Sequence, residues 1–150
     1  MNMLKKVAAE LIASLMLFAS VNAFAADNIS VVLNGETVVF DNAQPIIYED
    51  RTLIPVRAVF EKAKCEVIWD ESNKTAIISN DEKIVSITVN QKKIQVYNIN
   101  SDSQDDISID VPAMIIDGSI MIPLRAVSEA FNARVDWQST TKTANIKWEG

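Results

Sequence analysis

A stretch of 29 residues occurs twice in the chain, and this repeat constrains the fold more than any other feature of the sequence. The first copy runs from Arg51 to Ser79 and the second from Ser119 to Lys147, with no gap inside either copy. The residues that mark the motif are Pro55, Arg57 and Trp69 in the first copy and Pro123, Arg125 and Trp137 in the second, each pair 68 positions apart. Self-similarity at a fixed interval predicts a duplicated supersecondary unit.

Each copy predicts one short helix followed by a hairpin. Proline is favoured in the first turn of a helix because its missing N–H would have no intrahelical partner there, so we expect helices to begin at Pro55 and Pro123. Apolar residues then recur at helical spacing, and they would face a sheet. We expect the first helix to end near Lys64. Arg57 and Glu61, four residues apart, are expected to pair on another face.

Turn-forming dipeptides divide the remaining sequence into hairpins. Asn34-Gly35, Glu49-Asp50 and Asp117-Gly118 lie between runs of β-branched and other apolar residues, a pattern typical of two-residue β-turns. Further hairpins are predicted at residues 66–78 and 84–97, and a strand at residues 107–111. The predicted fold class is α+β, with two tandem pseudo-repeats at about residues 28–82 and 83–150. Each pseudo-repeat would consist of antiparallel hairpins packed on one short helix.

The segment from Asn98 to Asp106 is polar and acidic, and the first copy has no counterpart to it. Alternating oxygen-bearing side chains suggest a calcium loop as one interpretation. The EF-hand pattern nevertheless fails, because Ser103 occupies the position of its glycine and Ile109 that of its bidentate glutamate. We therefore expect a solvated surface loop and no metal site.

The N-terminus resembles a secretory leader. Lys5 and Lys6 precede an apolar run from Leu11 to Phe18, and Ala23-Phe24-Ala25 is a typical cleavage site. We expect residues 1–25 to be a signal peptide and residues 26–150 to form the exported domain. The apolar run is short for a membrane span and Glu10 precedes it, so no span is expected after cleavage.

The charge and cysteine content exclude further classes. Twenty acidic residues against 14 basic ones give a net charge of −6, which argues against nucleic-acid binding because that affinity depends on neutralising phosphates. Cys65 is the only cysteine, so no intramolecular disulfide can form. We expect it to be a buried free thiol.

Several observations argue against catalysis. The chain has no histidine, which removes the commonest general base and the commonest transition-metal ligand. Glycine occurs only at positions 35, 118 and 150, a spacing that allows neither a GxGxxG motif nor a P-loop. Acidic residues such as Asp70 and Asp136 leave an acid-based hydrolase as an unfavoured alternative. We expect no enzyme activity, no cofactor and no catalytic residues.

The matched residues of the two copies have structural interpretations. Trp69 and Trp137 are expected to pack in the core, with exposed glycan platforms as the alternative. Arg57 and Arg125 are expected to act as hydrogen-bond clamps, although they could also bind an anion. Trp148 lies outside the repeat near the C-terminus, could lie at an edge, and is the candidate for contact with a ligand.

The phrases at Arg51–Asp70 and Met121–Trp137, together with VLNGETV at Val32–Val38, resemble the copper amine oxidase N-terminal-like domain, also called the stalk domain. The resemblance covers nearly all of the predicted exported chain. It implies an α+β module without redox chemistry, of a kind common in exported proteins of Gram-positive bacteria. The copper-dependent activity of amine oxidases belongs to a different domain, whose histidine ligands and modified tyrosine have no counterpart here.

These expectations converge on an exported, non-catalytic binding or scaffolding domain. It would be secreted or associated with the cell wall, and its partner would be an envelope protein or a cell-wall polymer. The main alternative is a module that binds cell-wall carbohydrate through exposed tryptophans.

Overall fold

The computed structural model describes residues 28–149, which form thirteen strands and two short helices. The predicted leader lies outside the described residues. In chain order the elements are β1 Ser30–Leu33, β2 Glu36–Thr37, β3 Ile46–Tyr48, β4 Arg51–Pro55, α1 Val56–Lys62, β5 Glu66–Asp70, β6 Thr75–Ser79, β7 Lys83–Thr88, β8 Lys93–Asn98, β9 Ser103–Ser108, β10 Met114–Ile116, β11 Ser119–Pro123, α2 Leu124–Ala130, β12 Arg134–Gln138 and β13 Thr143–Lys147. The predominance of sheet with two short helices confirms the α+β class.

The strands form three sheets, with orders β12-β13-β1-β2, β10-β11-β4-β3 and β5-β6-β7-β8-β9. In the middle sheet β4 and β11 run antiparallel, and Ile54 lies opposite Ile122, the residue 68 positions later. In the two outer sheets, the hairpin that follows each helix pairs with a further strand: β5-β6 pairs with β7, and β12-β13 pairs with β1. The strand that precedes each helix and the hairpin that follows it therefore both pair with strands of the other half of the chain.

Both helices begin one residue later than predicted. Pro55 and Pro123 are the N-cap residues, and each is also the last residue of the preceding strand. Their extended ψ angles of 124° and 109° end a strand, after which the helix starts without a loop. Beyond the helices, Lys64 and Asn132 have φ angles of 64° and 63°, the left-handed geometry that commonly ends a helix.

The three two-residue turns have the backbone that their sequences predicted. Asn34-Gly35, Glu49-Asp50 and Asp117-Gly118 all have positive φ at both positions, which matches the twist of two-residue hairpins. Asn34 also binds the other end of the chain: its Nδ2 donates to Trp148 O at 2.9 Å, and Trp148 N donates to its Oδ1 at 2.8 Å. This contact joins the first turn to the segment that follows β13.

The main core lies between the helices and the outer sheets. Phe60 on α1 contacts Phe131 after α2, with ring centroids 6.1 Å apart, and both rings contact Trp148. Trp148 is only 8% exposed, so its expected role as an edge residue that contacts a ligand is wrong. The reason is that the pairing of β13 with β1, and the Asn34 contact, carry the C-terminal segment back over the core.

The expectation of a loop at Asn98–Asp106 is wrong for residues 103–106, although most side chains of the segment are exposed as expected. Residues 103–108 form β9, which pairs antiparallel with β8. Lys93 Nζ on β8 donates to Asp106 Oδ2 at 3.0 Å, and Tyr97 Oη donates to Asp102 Oδ1 at 2.6 Å. The segment is therefore a β-hairpin whose acidic side chains bond to the neighbouring strand and turn.

Within residues 28–149, no helix has the length and hydrophobicity needed to span a membrane.

Candidate binding groove

The described chain has a groove of about 650 Å³, which we call the charged groove. One wall is the tip of the β3-β4 hairpin, Asp50–Thr52, and the other is the first turn of α2 with Arg125 and Glu129. The segment Ser108–Val111 completes the rim. The groove lies between the two halves of the chain, since the hairpin belongs to one half and the helix to the other.

Two ion pairs lie on the walls of the charged groove. Arg51 Nη2 is 2.5 Å from Asp110 Oδ2, and its Nη1 donates to the carbonyl oxygen of Asp50 at 3.2 Å. This pair bridges the hairpin tip and the rim segment, residues 59 positions apart in the chain. Arg125 Nη1 lies 3.9 Å from Glu129 Oε1 on the facing helix. The charges are therefore balanced in pairs, with Asp50 as the additional carboxylate.

The floor of the charged groove is apolar. Val135 and Trp137 from β12, Ala144 from β13 and Leu124 from α2 line it. The indole ring of Trp137 is half-buried and packs against the main core. Among residues 28–149, no group accepts a hydrogen bond from Trp137 Nε1, whereas Glu71 accepts one from the equivalent Trp69 Nε1.

A smaller groove of about 320 Å³ lies between the tip of the β10-β11 hairpin and helix α1. Hairpin and helix again come from different halves of the chain. We call it the second groove. Twelve of the thirteen residues that line it stand 68 positions from a residue that lines the charged groove. The equivalent scaffold positions therefore form both grooves.

The two grooves differ in chemistry at their equivalent positions. Gly118 and Ser119 replace Asp50 and Arg51 at the hairpin tip, and Asn42 replaces Asp110 at the rim. The second groove consequently lacks an ion pair across its mouth.

The depth of the grooves differs because of a single aromatic side chain. Phe40 lines the second groove and packs against the core, whereas the exposed Ser108 holds the equivalent position in the charged groove. A hydroxymethyl group fills far less space than a benzyl group, so β12 and β13 remain accessible behind Ser108. Trp69, the equivalent of Trp137, does not line the second groove.

The motif residues of the first copy lie in structural contacts. Arg57 Nη1 donates to Val67 O at 3.0 Å and to Glu61 Oε1 at 2.9 Å, so this guanidinium links α1 to β5 as a clamp. Trp69 packs against the core, and its Nε1 donates to Glu71 Oε2 at 2.6 Å. Arg125 lines the charged groove as Arg57 lines the second groove, and its Nη1 lies 3.9 Å from Glu129 Oε1.

The remaining candidate residues show no arrangement for chemistry. Hydrogen bonds from the Asn73 side chain and from the Asn73 and Ser72 amides lower the pKa of Asp70, which suits a turn carboxylate better than a proton donor at neutral pH. Asp136 is exposed on β12. Burial raises the pKa of the Cys65 thiol to about 11, so it is protonated and inert at neutral pH. No cluster of three potential metal ligands occurs within residues 28–149.

Sequence reasoning missed four charged residues of the groove, which are Asp50, Arg51, Asp110 and Glu129. The repeat identifies only the residues that its two copies share. The signal for the groove lay instead in the positions where the copies differ, since Arg51 aligns with Ser119 and Asp110 with Asn42.

Comparison with known proteins gives one family match. The model of the copper amine oxidase N-terminal domain matches residues 32–146, which include both helices and both grooves. No curated protein and no solved structure matches the chain.

Proposed function

We propose that this chain, which belongs to the copper amine oxidase N-terminal domain family, is an exported binding or scaffolding domain of the bacterial cell envelope. The family is a non-catalytic N-terminal domain of copper amine oxidases. The observation that carries the proposal is the charged groove, a preformed concave site with an apolar floor and convergent polar groups. Such sites are the default binding sites of proteins.

The export part of the proposal rests on residues 1–25. Their basic start, apolar run and small-x-small site are typical of a secretory leader. Expression in a Gram-positive host should yield protein in the medium or cell wall with an N-terminus near Ala26. Full-length protein confined to the cytoplasm would contradict export without bearing on the groove.

The duplicated organisation supports a binding role because it explains how the groove arises. We propose that residues 28–82 and 83–150 are pseudo-repeats that exchange hairpins, so that each helix faces the hairpin tip of the other repeat. The same interval of 68 residues supports this view in three places. It separates the two helices, the paired residues Ile54 and Ile122 of the middle sheet, and the equivalent residues that line the two grooves. A groove formed in this way requires both halves and is held by the core beneath it.

Retention of cell-wall material tests the binding role. Immobilised protein should retain a wall polymer or an envelope protein from a cell-wall extract, and Ser108→Phe should abolish retention by filling the groove. Ser101→Phe is the matched control, because Ser101 is equally exposed but lies in the β8-β9 turn, outside the groove lining. The proposal fails if the wild-type protein retains nothing, or if both variants retain as much as the wild type.

A further inference from the structure

We propose that the charged groove binds an uncharged oligosaccharide, with Trp137 as the surface on which a sugar ring stacks. This inference rests on the proposed binding function and specifies its ligand. Three observations support it: the indole at the floor, the Arg51–Asp110 ion pair across the mouth, and the absence of both from the second groove, which the same scaffold forms.

The floor of the groove suits the apolar face of a sugar ring. Trp137 presents part of its indole to the groove beside Val135 and Ala144, and an aromatic ring combines a large apolar face with one polar N–H. The N–H of Trp69 already donates to Glu71, whereas the equivalent of Glu71 is Ser139 and the Trp137 N–H has no acceptor within residues 28–149. A ligand hydroxyl can therefore accept that hydrogen bond without displacing a protein group.

The charges of the groove suit a neutral ligand rich in hydroxyl groups. Arg51 is paired with Asp110, and Arg125 lies near Glu129, so an anionic ligand would have to compete with a carboxylate already present. Asp50 adds a carboxylate that can accept hydrogen bonds from ligand hydroxyl groups. A carboxylate can accept about four hydrogen bonds and a guanidinium can donate five. Hydroxyl groups can therefore bond to both members of each pair while the pair remains intact.

The comparison of the grooves shows that the scaffold alone does not require these residues. At the equivalent positions the second groove has Ser119, Asn42 and the bulky Phe40. The aromatic floor, the bridging ion pair and the open depth thus occur together on one side only. A ligand that contacts all three features explains why they occur together in the charged groove. A requirement of folding would apply equally to the second groove.

An extended peptide is the competing occupant. β3 is an edge strand of the middle sheet, and Ile47 on it lines the groove, so a peptide could add as a further strand. That mode takes its affinity from backbone hydrogen bonds to β3. It would not depend on the indole of Trp137, and substitution of this residue separates the two modes.

The test is titration of the folded domain with a panel of neutral tetrasaccharides that includes cellotetraose and the N-acetylglucosamine tetramer. Tetragalacturonate serves as the charged probe and a tetra-alanine peptide as the peptide probe. Binding is followed by calorimetry and by tryptophan fluorescence. We expect at least one neutral tetrasaccharide to bind, with an affinity that changes less than about twofold between low and high salt because no net charge is neutralised.

Two groove variants and one matched control complete the experiment. Trp137→Ala should weaken binding about tenfold or more, as loss of a central aromatic anchor does, and Ser108→Phe should abolish it by filling the groove as Phe40 fills the second groove. Trp69→Ala should bind as the wild type does, because Trp69 is the equivalent residue outside the groove. Circular dichroism establishes which variants are folded, and Ser108→Phe keeps the test decisive if Trp137→Ala unfolds.

The inference is overturned if no neutral tetrasaccharide of the panel binds, if only the charged or peptide probe binds, or if Ser108→Phe binds normally. Retention of wall material in the preceding experiment together with such a result would leave the binding function standing and reject only its ligand. Failure of both experiments would reject the groove as a binding site.

Discussion

The side chain of Asn34 joins the two ends of the described chain, and its removal should destabilise the fold measurably. Its Nδ2 donates to Trp148 O at 2.9 Å, and Trp148 N donates to its Oδ1 at 2.8 Å. Asn34 also has a φ of 49°, which alanine tolerates poorly. Because the contact secures the segment after β13, it supports the sheet that carries the groove floor.

The cost of Asn34→Ala follows from these two effects. Each hydrogen bond contributes a net stabilisation of about 0.5–1.5 kcal/mol, and a left-handed backbone costs alanine about 1–2 kcal/mol. We therefore expect a loss of about 2–5 kcal/mol in the free energy of unfolding. Asn34→Gly removes the two bonds but relieves the backbone, so it should cost about 1–3 kcal/mol from the lost bonds.

Urea denaturation measures these losses directly. With a slope of about 1–3 kcal/mol per molar urea for a small protein, Asn34→Ala should lower the midpoint by about 1 M or more. Asp117→Ala is the matched control, since Asp117 has the same φ of 49° in an exposed hairpin turn and reports the backbone cost alone. Equal losses for Asn34→Ala and Asp117→Ala, or an Asn34→Gly variant as stable as the wild type, would refute the reasoning.

Three further changes test single features of the fold. Lys64→Gly should stabilise the protein by up to about 1 kcal/mol by relieving a φ of 64°, with Asn132→Gly gaining less because asparagine tolerates this geometry; equal gains in urea denaturation would contradict it. Ser128→Ala should stabilise by about 1 kcal/mol, because its buried hydroxyl has no hydrogen-bond partner; a lower urea midpoint would show that the hydroxyl is satisfied. Stability should fall as pH rises from about 8.5, the pKa of an unfolded thiol, to about 11, that of Cys65; Cys65→Ala should flatten this profile, and an unchanged slope would refute the assignment.

Local chemistry made the turns and helices predictable. The pairs Asn34-Gly35 and Asp117-Gly118 adopt positive φ because glycine and its polar neighbour accept it at low cost. The helices followed from the proline positions and apolar spacing. These features depend on residues close together in the chain, so one sequence was sufficient to find them.

The non-local pairings could not be predicted in the same way. β1 pairs in parallel with β13, across more than 100 residues, and no local pattern specifies that partner. β9 has the sequence SQDDIS, which reads as a loop because aspartate is unfavourable in strands. Its pairing with β8, where Lys93 faces Asp106, overrides that preference, and the burial of Trp148 likewise depends on where β13 lies.

The same replacement of phenylalanine by serine has opposite consequences at two places in the second half of the chain. Ser128 occupies the position of Phe60, and Phe131 one turn later packs against Phe60 and Trp148, so the core stays filled. Ser108 occupies the position of Phe40, but it is exposed and leaves Trp137 accessible. The first replacement is compensated locally, because Phe131 lies only three residues after Ser128. The sequence could not reveal the second effect, because the ring that remains accessible belongs to a strand almost thirty residues further along.

If that accessibility serves binding, Phe40→Ser should open the second groove without creating a second oligosaccharide site, since Ser119 and Asn42 supply no ion pair there. Calorimetric stoichiometry checks this expectation, and two equivalent sites would show that depth alone, and not the charged rim, determines recognition.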